Sequence, residues 1–302
     1  MQCNTWCVLR LKRSVQRRHV LVLDRYADLR LLFFQHWEMF EFVIFAFDTT
    51  TKMVDRDRYM IQIVKCADDM RDIRQNVKLA FKTSALGHMY VINERIPMYA
   101  FLKEWYIQNY LEIYQLKHDT FIWEIPHVVV FDLDSTLITD EETVRIRDDA
   151  VYDSLFDLKR MGCVLVLWSY GNREHVAHSM RITDLDKGIF DVVLCKGYKT
   201  GENQMGVSVD IKNDLVFVEK TFYLDIEDGD RLPKSPRIVL WHLRKLGVNY
   251  FKSITLVDDL KVNDYAYDYF VNVKKCPQPR NDWNLYHDAI VDNIIHYDDI
   301  FK

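Results

Sequence analysis

The sequence predicts an α/β fold: a parallel five-stranded sheet with a small β insertion, preceded by a mostly helical N-terminal unit. Three observations carry the prediction. Short, fully apolar runs rich in Val, Ile and Leu read as strands buried on both faces, as parallel sheets require. Helical patterns alternate with them from Trp123 onward. Three of the runs end in polar or acidic residues, at Asp132 and Asp134, at Ser169, and at Asp258 and Asp259.

Residues 1 to about 20 form a basic lead-in with Arg10, Lys12, Arg13, Arg17 and Arg18. No apolar stretch with a small-residue cleavage site follows it, so it reads as a solvated charged face, with nuclear targeting or a basic arm as the alternative. From Asp24 to Phe47, Leu29, Leu32, Phe33, Trp37, Phe40 and Ile44 fall near helical spacing. A second helix is expected from Asp55 to Phe81, a short strand over Met89–Ile92, and a third helix from Met98 to Lys117 after Pro97. Residues 1–122 are therefore expected as a helical interaction or assembly unit, and residues 123–302 as the α/β domain.

That domain opens with the strand from Val128, which ends in Asp132-Leu133-Asp134. Along an extended chain, residues two apart point the same way, so the two carboxylates converge and repel unless a cation or a proton separates them. A helix follows from Ala150 to Met161, capped by Asp148 or Asp149 and ended by Gly162. Cys163–Trp168 is the second strand, reaching Ser169, with Asn172 capping the next helix. Val192–Cys195 is the third. Residues 197–230 carry short β-like pieces spaced by Gly, Asn and Asp, expected as a small antiparallel insertion. Lys234 then precedes Ser235-Pro236, a cap followed by proline at the first helical position, and the helix stops at Gly247. Ser253–Val257, a short helix around Asn263–Tyr267, Phe270–Val273 and a last helix from about Asp282 complete the pattern.

The chain has 302 residues, 49% hydrophobic and 28% charged, with a net charge of −5, which fits a folded protein and disfavours direct nucleic-acid binding as the main activity. No uncharged run is long enough to span a bilayer. Six scattered cysteines match a reducing compartment, the cytosol or nucleus; Cys3 and Cys7 would supply half of a zinc site with no second pair nearby.

In an open α/β sheet, ligands bind beyond the carboxyl ends of the strands. Asp132, Asp134, Asp258 and Asp259 could there hold Mg²⁺, which prefers oxygen ligands. Ser169 and a lysine at a helix N-terminus would hold phosphate oxygens; Lys234 fits that place, and Lys196, at another strand end, is its rival. His175 and His178 read as helix-surface residues.

Asp132-Leu133-Asp134-Ser135-Thr136-Leu137 resembles the first motif of the haloacid dehalogenase superfamily, and residues 123–280 are similar to its pattern throughout. With Leu167-Trp168-Ser169-Tyr170-Gly171-Asn172 and Val257-Asp258-Asp259, the chain also resembles a family of baculoviral nucleocapsid proteins. The resemblance implies a Rossmannoid core in which Asp132 attacks phosphorus. Asp134 would protonate the leaving oxygen and later activate water. It would also lend its backbone carbonyl to Mg²⁺, completed by Asp258 or Asp259. Ser169 and Lys234 would orient phosphate, with Thr136 supporting the loop. The implied substrate is a phosphorylated arginine-rich DNA-condensing protein, the implied partners are other nucleocapsid proteins and the chain itself, and the implied places are the virion nucleocapsid and host nucleus. Ser135 departs from the superfamily's usual glycine. Two other readings are a nucleocapsid assembly protein with secondary or no catalysis, and a nucleotide or nucleic-acid-end phosphatase, the latter disfavoured by the lack of a cap domain.

Overall fold

The computed structural model describes residues 3–13, 19–23, 25–31, 40–47, 54–67, 70–87, 89–91, 125–140, 143–196, 198–199, 206–210, 215–219, 223–224, 234–248, 250–264 and 266–301. The chain forms two compact units. One comprises Met1–Ile125, Leu240–Lys252 and Asp298–Lys302, the other Pro126–Val239 and Ser253–Tyr297.

Among its described residues the first unit is built on a sheet, which corrects the expectation of a mostly helical unit. Strands β1 (Cys3–Leu11), β2 (His19–Val22), β3 (Phe40–Ala46), β4 (Tyr59–Ala67) and β6 (Met89–Val91) lie in the order β4-β1-β3-β2-β6. The expected helix over 24–47 is instead a 3-10 turn at Tyr26–Leu31 and strand β3, and that over 55–81 is strand β4 followed by helix α1 (Met70–Phe81). The reason lies in β3, where Phe40, Val43 and Phe45 join one apolar cluster while Phe42 and Ile44 lie outside it, and all five are buried. A strand covered on both faces has no polar alternation, so its aromatic residues fit a helical stripe as readily as a strand. The helix expected over Met98–Lys117 lies outside the described residues.

The basic lead-in contributes β1, whose Arg10 pairs with the buried Glu41 at 2.8 Å. Cys7 is fully buried in that strand, among the apolar residues of the unit's core. A short strand β5 (Leu86–Gly87) pairs with β14 (Tyr250–Phe251).

The second unit carries the α/β core that the sequence anticipates. Strand β7 (Val128–Phe131) lies between β8 (Val164–Ser169) and β15 (Ile254–Asp258), with β9 (Val192–Cys195) beyond β8 and β16 (Tyr269–Asn272) beyond β15, all parallel. The apolar side chains of β7, β9 and β15 are almost wholly buried, as are those of β8 from Leu165, each worth roughly 1.5–3 kcal/mol, while Tyr269 and Phe270 of β16 are half-buried. Helices α2 (Ala150–Arg160), α3 (Arg173–Ile182), α4 (Pro236–Lys245) and α5 (Trp283–Ile300) follow the expected order, α4 from Leu240 and α5 from Asp298 belonging to the first unit.

The β insertion corrects one detail. It does not stand apart as an antiparallel piece, because β11 (Gly206–Asp210) and β12 (Leu215–Glu219) form a hairpin whose β12 runs parallel to β9. The sheet is thus extended to seven strands, β11-β12-β9-β8-β7-β15-β16. Pieces β10 (Tyr198–Lys199) and β13 (Tyr223–Leu224) pair parallel with each other. Without β12, β9 would be an edge with unpaired backbone groups, and a short strand carries no sequence signal of which neighbour it takes.

Chain order runs outward from β7 through β8 and β9 on one side and through β15 and β16 on the other. This reversal opens a crevice at the carboxyl ends of β7 and β15. Among the described residues no helix is long and apolar enough to cross a membrane.

Candidate metal and phosphate site

The crevice between β7 and β15 receives Asp132 and Asp258 directly. Val257 pairs with Phe131, and the Asp132 N–H donates to the Val257 carbonyl at 2.9 Å, so each carboxylate leaves its strand at the same level. Asp259 follows at once, its N–H donating to Thr136 Oγ1 at 3.2 Å. Oxygens of Asp132, Asp258 and Asp259 lie within 4.8 Å of one another. That limit admits three ligands of one octahedral ion, whose donor atoms stand roughly 3–4 Å apart at bonds of about 2.1 Å, and an all-carboxylate donor set suits a hard divalent cation. The fold therefore brings together acids far apart in sequence, as the strand ends suggested.

Lys234, the residue before Ser235 and helix α4, reaches into the same place. Its Nζ donates to Asp132 Oδ1 at 2.5 Å and to Asp258 Oδ2 at 2.9 Å, and it lies 5.4 Å from the centroid of the Tyr170 ring. Of the two lysines in question, Lys234 is the one set between the carboxylates. Lys196 follows β9, its backbone N–H donating to the Ser169 carbonyl. Burial works against the charge of Lys234, but Asp132 and Asp258 outweigh it and raise its pKa above that of an ordinary lysine. Lys234 alone cannot balance three carboxylates, and the further pull of Lys275 on Asp259 does not offset burial there. Burial pushes Asp132 up to about 7, against the pull of Lys234 and with the charge of Asp258 adding to the push. Burial and Asp258 also raise Asp259. The cluster is short of positive charge.

Asp258 is fully buried and tightly oriented. Its Oδ1 accepts from the Leu260 N–H at 2.7 Å, and its Oδ2 accepts from Asn263 Nδ2 at 2.9 Å as well as from Lys234. Asn263 ends the 3-10 turn Lys261–Asn263, which precedes rather than fills the stretch Asn263–Tyr267 expected as a short helix, and its role was not visible in the sequence.

Asp134 takes a different path. Its Oδ2 accepts from Ser169 Oγ at 2.9 Å and its Oδ1 lies 2.7 Å from His175 Nε2. Its side chain is thus held apart from the carboxylate cluster. Ser169 is fully buried, and its hydroxyl also accepts from the Gly171 N–H, so a phosphate contact by Ser169 would have to displace its bond to Asp134. His175 and His178 are both exposed on α3 as expected; the His175 imidazole still reaches Asp134 from that surface, and Asn172 caps α3 by accepting from the His175 N–H at 2.8 Å. No sequence signal joins His175 to Asp134, 41 positions away.

The loop carrying both aspartates is locked from behind. Ser135 has φ +60°, the left-handed conformation that glycine fills most cheaply, at a cost of roughly 1–2 kcal/mol for an L-residue. Its carbonyl accepts from the Cys276 N–H at 3.1 Å. Arg147, fully buried, donates from Nη1 to the carbonyls of Ser135, Thr136 and Lys274 and makes a two-pronged pair with Asp282 at 2.8 and 2.9 Å. Arg147 is the second residue of the site that the sequence did not single out.

Residues 4–302 match the family described as a protein of unknown function, DUF705. The chain is 50% identical to an uncharacterized 38.0 kDa protein of Autographa californica nuclear polyhedrosis virus, over 99% of this chain and 98% of that one. It is 46% identical to an uncharacterized 36.0 kDa protein of Orgyia pseudotsugata multicapsid polyhedrosis virus, over 100% and 98% of the two chains. An uncharacterized 41.0 kDa protein of Cryptophlebia leucotreta granulosis virus is 44% identical, over 99% of this chain and 87% of its own.

Proposed function

The chain belongs to the baculoviral DUF705 family, and on that premise we propose that it is a Mg²⁺-dependent phosphomonoesterase of the haloacid dehalogenase type. One observation carries the reading. Asp132 faces Lys234 and two further carboxylates, while Asp134, two residues on, is held by a separate set of partners. Two neighbouring aspartates with different surroundings suit different tasks.

In the proposed reaction an Asp132 carboxylate oxygen attacks phosphorus, and the bond from phosphorus to the ester oxygen breaks. Asp134 gives its proton to that departing oxygen, leaving an aspartyl-phosphate on Asp132. Asp134 then takes a proton from water, which attacks the same phosphorus, and the bond to Asp132 breaks to release inorganic phosphate. Lys234 orients Asp132 throughout and offers positive charge to the phosphate. Asp132, Asp258 and Asp259 would hold Mg²⁺, with the Asp134 carbonyl as a further ligand. The bound ion supplies the charge neutralisation that lets one anion approach another.

The proposed substrate is phosphoserine or phosphothreonine of an arginine-rich DNA-condensing protein, acted on during nucleocapsid assembly in the host nucleus. Removing phosphates restores positive charge and with it affinity for the DNA backbone. What supports this reading is the site's suitability for a phosphomonoester and the family's viral membership.

Hydrolysis of p-nitrophenyl phosphate with Mg²⁺, and again with a chelator, tests the proposal. The wild type is expected to turn over only with the ion, and Asp132→Asn to be inactive with an unchanged circular-dichroism spectrum. A wild type inert towards phosphomonoesters in the presence of Mg²⁺ returns the chain to a role in assembly alone.

A further inference from the structure

Resting on the phosphatase reading, we propose that His175 is a positioning residue for Asp134, and that Gly171 is glycine in order to admit it. The Asp134 side chain is 40% exposed, so unrestrained it would rotate among several staggered states. Both of its oxygens are instead tied to residues of one short stretch, Ser169 to His175. Ser169 Oγ donates to Oδ2 at 2.9 Å, and His175 Nε2 is hydrogen-bonded with Oδ1 at 2.7 Å.

Each of these partners is itself fixed. Ser169 is the last residue of β8, fully buried, its hydroxyl accepting from the Gly171 N–H at 2.9 Å. The His175 backbone is set by the Asn172 cap at the start of α3. The imidazole passes over Gly171 at a distance that leaves no room for a side chain. A Cβ there would lie 2.7 Å from His175 Cδ2 and 3.1 Å from Ser169 Oγ. The exit of β8 is therefore a clamp with three parts, and its object is the aspartate that must meet the leaving oxygen.

Proton transfer to a leaving group needs the acid at hydrogen-bond distance and in line, and a displacement of about 1 Å can cost on the order of 100-fold. Asp132 does not depend on this clamp, because Lys234 holds it from another direction. Loss of His175 should therefore harm the step that needs a proton and spare the one that does not.

The test is kcat/KM with Mg²⁺ on two substrates, a phosphoserine peptide whose alkoxide leaves poorly and p-nitrophenyl phosphate whose phenolate leaves readily. Wild type is compared with His175→Ala, His175→Gln and Gly171→Ala, each with a thermal melt. His175→Ala is expected to lose about 10- to 100-fold on the peptide and less than about threefold on the aryl ester. His175→Gln, which keeps a donor near Asp134, is expected to recover most of that loss, and Gly171→Ala to follow His175→Ala. If His175→Ala lacks a cooperative melt, Gly171→Ala carries the same comparison. Equal losses on both substrates, or no loss on either, overturn the inference while leaving the phosphatase reading intact. A wild type that hydrolyses neither substrate overturns that reading and the inference with it.

Discussion

Asp132 is a buried carboxyl that shares the Lys234 ammonium with Asp258 and lies beside a third acid, Asp259, and its response to pH follows from that setting. Its pKa is pushed up to about 7, above the 3.8 of an ordinary aspartate. A raised value means that the folded protein favours the protonated form. The stability this gives is present in full below about pH 4 and is lost as pH rises through about 7. A divalent ion must displace that proton, so its affinity moves the other way and rises with pH. Thermal melts with and without Mg²⁺ are expected to show a larger gain from the ion at pH 8 than at pH 5.5. Equal gains at both would mean that the ion binds away from Asp132.

At the level of the element, the loop from Asp132 to Leu137 owes its shape to Arg147. That guanidinium satisfies three backbone carbonyls and is itself held by Asp282. Arg147→Ala would remove the guanidinium from all three carbonyls, with Ser135 keeping its bond from the Cys276 N–H, and would leave Asp282 without its ion-pair partner; it is expected to cost about 3 kcal/mol in a urea titration. The hydrogen bond from Arg147, against a smaller opposing effect of burial, holds Asp282 below the usual carboxylate range. The pair's contribution is therefore present above about pH 4 and lost as pH falls through the depressed pKa. This clamp was illegible in the sequence because Arg147 and Asp282 stand 135 positions apart and neither lies in a motif. The strands with their terminal acids were legible because a buried parallel strand announces itself by composition and its functional end by a break in it. Strand β3 was not, since Phe40, Phe42, Val43 and Phe45 are buried on both faces and carry no period of two.

Across the whole molecule, the first unit draws on three separate stretches of chain, including Leu240–Lys252 and Asp298–Lys302. Within it β14 pairs with β5, and the buried Lys78 Nζ donates to the Lys252 carbonyl at 2.7 Å. A fragment beginning at Pro126 would keep β14 and lose its partner strand, leaving the buried Phe251 uncovered. It is expected to be poorly soluble or to melt well below the full chain, measured by light scattering and circular dichroism. A fragment as stable as the full chain would show that the second unit folds without the first.

Lys234 stands 102 residues downstream of the aspartate it holds. At synthesis rates of about 5–20 residues per second, the nascent polypeptide carries Asp132 for roughly 5–20 s before its counter-charge has been made. During that interval the strand that bears it has β8 beside it but neither β15 nor the ammonium that makes its burial tolerable. Assembly of the centre must then be among the last events in the maturation of the chain, after translation has passed β15, and a ribosome stalled earlier would hold a product with its acids still in water.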